Sequence, residues 1–109
     1  MTIKEIYNLA IKKGVENDFR GKEEIEEMME RRKKSYEKMS KKKKEYFDKE
    51  KLSNPFSDTT ILYGDEEKKV KKVLVGIDID GEELFYAKQR GDIDLVISHH
   101  PRGKGLLGL

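Results

Sequence analysis

The chain has 109 residues, 35% of them hydrophobic and 42% charged, which limits it to one small domain or a portion of a larger protein. It contains no cysteine, so disulfides, thiolate-bound zinc, iron–sulfur clusters and a thiol nucleophile are excluded. Net charge is +2: residues 1–52 hold sixteen Lys/Arg against twelve Asp/Glu and residues 53–109 hold eight against ten, a balance too mild to predict a nucleic-acid binder.

The first predicted element is a helix over about Ile3–Lys13. Thr2 and Glu5 have capping-box spacing, and Ile3, Ile6, Tyr7, Ala10 and Ile11 recur at helical intervals. Gly14 is read as its stop. A second helix is predicted from Lys22 to about Met39, with Ile25, Met28, Met29, Tyr36 and Met39 as its apolar set and a densely charged opposite face. Ser40 then caps a third helix, Lys41 to about Lys51, with Tyr46, Phe47 and Leu52 directed to the core. The four lysines in its first turn oppose the helix dipole and predict fraying there. The run Lys41–Lys44 is read as a solvated face rather than a phosphate-binding one, because acidic residues surround it and its aromatic neighbours read as core.

Ser53–Asp58 is a loop by its turn residues and divides the chain into a helical, charged region, 1–52, and an α/β half-domain, 53–109. Thr60–Tyr63 is a possible short strand. Val70–Ile77 is rich in β-branched residues, as a strand buried on both faces should be. Asp80 caps a helix that begins with Glu82 and Glu83, buries Leu84, Phe85 and Ala87 or Lys88, and ends at Gly91. Ile93–Ile97 forms the next strand, Asp94 opening it. A crossover of this length predicts parallel strands. The expected fold is therefore α/β: an N-terminal helical region followed by a βαβ unit belonging to a larger sheet.

Both histidines of the protein, His99 and His100, follow this second strand directly and precede Pro101. Adjacent strand residues point to opposite faces, so a shared site requires the chain to leave strand geometry, and Pro101 predicts a loop there. In open α/β sheets ligands collect at the carboxyl ends of parallel strands, and imidazole is the commonest metal-binding side chain. Asp78 and Asp80 end the neighbouring strand, Asp80 with a cap role of its own. A His/carboxylate set suits zinc, iron, manganese or nickel, and a bound metal generates hydroxide near neutral pH. An ordinary loop explains a His-His dipeptide equally well. Gly103-Lys104-Gly105 lacks the strand–loop–helix context of a phosphate loop.

The segment Val73–Asp78, a helix, and then Gly91–Pro101 with its terminal Ser98-His99-His100-Pro101 resembles the Nif-three-like family, the GTP cyclohydrolase I type 2-like dinuclear-metal proteins. The match covers roughly Lys71 to Arg102, and Asp58–Asp65 is similar to the segment preceding this unit in the family. The resemblance implies that His99 and His100 are metal ligands and that Asp78 lies near the centre without ligating it. It further implies two divalent ions (zinc, iron or manganese), hydrolase-like chemistry with metal-activated water, an unspecified small-molecule substrate and a toroidal homohexamer. The family's remaining ligands, an Asp, a His and a Glu, lie further along than Leu109. The chain is accordingly expected to be the N-terminal portion of such a protein and incomplete as a catalyst. The alternative is a non-enzymatic oligomerisation or protein-interaction module that keeps the motif. No apolar run reaches the roughly 20 residues of a membrane span, and the N-terminus lacks a signal-peptide core, so a cytoplasmic protein without membrane association is expected.

Overall fold

The computed structural model describes residues 1–101. The reading of Gly103-Lys104-Gly105 concerns residues outside that range. The fold is α/β, with N-terminal helices followed by a βαβ unit: α1 (Ile3–Glu16), α2 (Lys22–Glu37), α3 (Lys41–Tyr46), a 3-10 turn (Lys49–Leu52), β1 (Val73–Ile79), α4 (Gly81–Arg90) and β2 (Leu95–Pro101). The chain divides into two compact units, Met1–Glu5 with the chain from Asp65 onward, and Ile6–Gly64. Among the described residues no helix is long and apolar enough to cross a membrane.

In the helical unit, α1 runs through Gly14 instead of stopping there. A Cβ at Gly14 would lie 2.7 Å from Phe56 Cε2, so the missing side chain admits the ring against the helix. α2 keeps its expected bounds to within two residues and buries Ile25. Ser40 caps α3 as expected, its Oγ accepting from the Lys43 N–H at 3.3 Å. The third helix is shorter than expected, because the chain turns extended at Phe47 and Asp48 restarts it as a 3-10 turn by capping the Glu50 N–H. Tyr46, expected in the core, is 82% exposed; Phe47 instead meets Tyr36, with ring centroids 5.0 Å apart. Thr60–Tyr63 forms no strand.

A polar cluster organises this unit. The Asn54 side chain, 4% exposed, donates to the Tyr7 hydroxyl (3.0 Å), to Glu50 Oε1 (3.2 Å) and to the Thr59 carbonyl (2.6 Å). The Tyr7 hydroxyl donates to Glu50 Oε1 at 2.6 Å and Thr60 Oγ1 to Glu50 Oε2 at 3.0 Å. Arg32 Nη1 ties α2 to the same region through the carbonyls of Lys51 (2.9 Å) and Asn54 (3.3 Å). The large majority of buried polar groups in folded proteins are satisfied in this way.

In the α/β unit, Met1–Lys4 hold the stretch before β1: Ile3 N–H donates to the Lys68 carbonyl, Lys4 N–H to Glu66, and Val70 N–H to Met1. Ile3 is buried. β1 and β2 pair in parallel, Val73 with Leu95 through Ile79 with Pro101. β1 is not buried on both faces. Leu74 and Gly76 are half-buried, whereas Val75 and Ile77 on the alternate face are 69% and 68% exposed; Ile79, at the end of the strand, is buried. A single crossover helix covers one face of two strands, and the period of two leaves the other apolar row bare. α4 accordingly buries Ala87, while Leu84 and Phe85, expected inside, are exposed.

Candidate metal centre

The elements that carry the histidines are fixed at the opposite end of the strands. The Asp94 carboxylate accepts from the backbone N–H groups of Lys71 (2.9 Å) and Lys72 (3.1 Å), and Asp94 N–H donates to the Lys72 carbonyl (2.9 Å). These bonds lower the Asp94 pKa, the one from Lys71 first. Asp94 therefore does more than open its strand: it ties the start of β2 to the stretch that leads into β1. Asp92 adds a second tie, accepting from Arg90 Nε at 2.7 Å and from Lys72 Nζ at 2.7 Å. The Arg90 guanidinium, with Lys72 beside it, holds the Asp92 carboxyl well below the usual carboxylate range.

α4 is fixed at both ends as its sequence predicts. Asp80 and Glu83 form a reciprocal capping box, and Gly91 closes the helix at φ 78°, a left-handed conformation natural to glycine. Asp80 is thus employed as a cap.

His99 and His100 lie within β2, not in a loop after it. The residue before a proline is restricted to extended conformations, so the strand continues through both histidines and ends on Pro101. Their imidazoles nevertheless meet, with ring centroids 4.3 Å apart and planes at 49°. Both rings are exposed. Asp78 pairs with His100 across the ladder, which puts the strand-end carboxylate and one imidazole on the same face of the sheet. The structure thus brings His99, His100 and Asp78 to one end of the two strands.

This donor set is partial. Among the described residues no group of three or more His, Asp or Glu side chains is placed to hold a metal ion. Two imidazoles supply at most two donors, and a closed coordination sphere requires others beyond them. No catalytic step follows from these residues alone.

Ser98 is a member of this strand end that sequence reasoning passes over. Its Oγ is buried without a hydrogen-bond partner among the described residues, opposite Gly76 and immediately before the histidines. The period-two alternation Val96, Ser98, His100 already places it on the Asp78 face. No family model, curated protein or solved structure matches this chain.

Proposed function

We propose that this chain is the N-terminal part of a Nif-three-like, dinuclear metal-binding and hydrolase-like protein of the cytoplasm, with His99 and His100 as ligands. The observation that supports this reading is the meeting of two imidazoles, 4.3 Å between centroids, at the carboxyl end of a parallel strand and beside the carboxylate position of Asp78. Zinc, iron or manganese bound there would supply an activated water. In this reading Asp78 orients the imidazoles or the water, and the remaining ligands come from other segments or other copies in a homohexamer. Calorimetry with each of the three metals tests it. Binding that is abolished in His99→Ala/His100→Ala and retained in Asp78→Asn supports the assignment; equal heats for the native chain and the double variant reject it.

The second reading is an assembly module, and the bare row of Val75 and Ile77 on the two-stranded sheet of the described residues favours it. Sedimentation without metal distinguishes the two. Concentration-dependent association abolished by Val75→Lys/Ile77→Lys, with no metal binding at any concentration, supports the module.

A further inference from the structure

Charge in the helical unit is segregated in a way that the net balance conceals. Residues 22–30 contain five Glu and one Lys, whereas residues 31–44 contain nine Lys/Arg and only Glu37 on the acidic side. Arg32 is committed to backbone carbonyls, and Lys44 Nζ sits 5.3 Å from the centroid of the Tyr36 ring. The other seven cations, Lys42 and Lys43 among them, are exposed.

Lys42 and Lys43 border an open hollow of about 430 Å³, completed by Met39, Tyr46 and Phe47. Tyr46 presents its ring to solvent at 82% exposure. Two sequence features count against nucleic acid here: Tyr46 reads as core, and acids surround the lysine run. The fold removes the first, and the charge segregation weakens the second on the N-terminal side of the run, leaving Glu45 and Asp48 as its acidic neighbours on the other side.

We propose that this hollow binds single-stranded nucleic acid, with Lys42 and Lys43 contacting phosphates and the Tyr46 ring stacking on a base. Backbone-tracking cations combined with an accessible aromatic face are the general recipe for sequence-tolerant single-strand binding. A duplex offers the cations its phosphates but no unstacked base to the ring. An anionic membrane would need a broad apolar face, and α3 offers only Tyr46. Charge and stacking together select the single strand.

The test is fluorescence anisotropy of a labelled oligouridylate of about 16 nucleotides, the upper end of a single site, titrated with the full chain at several salt concentrations. Affinity should fall with salt. In Lys42→Ala/Lys43→Ala the logarithmic slope should become shallower by about 0.7 for each phosphate that the missing ammonium no longer neutralises. Removing the same charge at Lys12 and Lys88 should leave the slope unchanged. Tyr46→Ala should weaken binding roughly 5- to 150-fold, and Tyr46→Phe should restore it. Since Tyr46 is exposed, neither variant threatens folding. Absence of salt-sensitive binding, equal affinity of Tyr46→Ala and the native chain, tighter binding to the duplex form, or preference for phosphatidylserine vesicles would each overturn the proposal.

Discussion

The Asn54 amide donates to the Tyr7 hydroxyl at 3.0 Å, joining residues 47 positions apart in the chain. Asn54 is the most deeply buried polar residue described, and the same amide also reaches Glu50 and the Thr59 carbonyl. Replacing it with alanine leaves those acceptors facing a void. Asn54→Ala should therefore cost about 1–3 kcal/mol, read as a lower denaturant midpoint. Asn54→Asp should not rescue it, because a carboxylate cannot donate and would face Glu50.

Tyr7 should titrate late. Burial, followed by its hydrogen bond to Glu50, pushes the phenol up to about 12 from an ordinary value near 10. The folded state thus holds its proton longer than the unfolded chain does. The associated stability is complete below about 10 and is lost as pH rises from there towards 12. Phenolate absorbance should show one of the five tyrosines ionising at about 12, and Tyr7→Phe should delete that component.

At the other end of the pH scale, Asp94 governs the βαβ unit. Its carboxyl is held low by the Lys71 and Lys72 N–H groups, so the folded state keeps it ionised where the unfolded chain binds a proton. Its contribution is present above the ordinary carboxylate range and disappears as pH falls through the lowered value. Asp94→Asn should make the unit less stable at neutral pH while flattening its loss of stability in acid. Thermal melts followed from neutral to acidic pH check both.

Helix α4 offers a local test of what positions the histidine strand. Asp80→Ala removes one half of the capping box and should cost about 0.5–2 kcal/mol. Gly91→Ala forces a Cβ into the left-handed conformation at φ 78° and should cost about 1–2 kcal/mol. Thermal melts of the two single variants and the double variant should give nearly additive losses, since the sites lie at opposite ends of the helix.

Periodicity and end signals are enough to read the βαβ unit from the sequence, because its caps, Asp80 and Gly91, act within a few residues of the elements they close. Asp78 and His100 can be brought together for the same reason: parallel pairing of two short strands aligns their ends. The bare face of β1 is not legible, since an apolar row looks the same whether or not a second layer covers it. Tyr46 is misplaced by sequence because aromatic character alone does not say which of two neighbours, Tyr46 or Phe47, turns inward; a distant partner, Tyr36, decides it. The Tyr7–Glu50–Asn54 cluster leaves no trace, as its members belong to three segments with no shared spacing.

Gly14 shows how such a distant partner overrides a local preference. Within a helix an alanine is intrinsically favoured over glycine by up to about 1 kcal/mol, and Gly14 lies in the last turn of α1. Yet the added Cβ would stand 2.7 Å from Cε2 and 3.0 Å from Cζ of Phe56, so the half-buried ring would have to shift. Overpacking of this kind typically costs about 1–3 kcal/mol, which cancels or exceeds the helical gain. Gly14→Ala should therefore be destabilising, whereas in a Phe56→Leu background, where the ring edge is gone, the same change should turn neutral or stabilising. A double-mutant cycle by denaturant unfolding measures the coupling directly, and additive effects would mean that the glycine serves the helix alone.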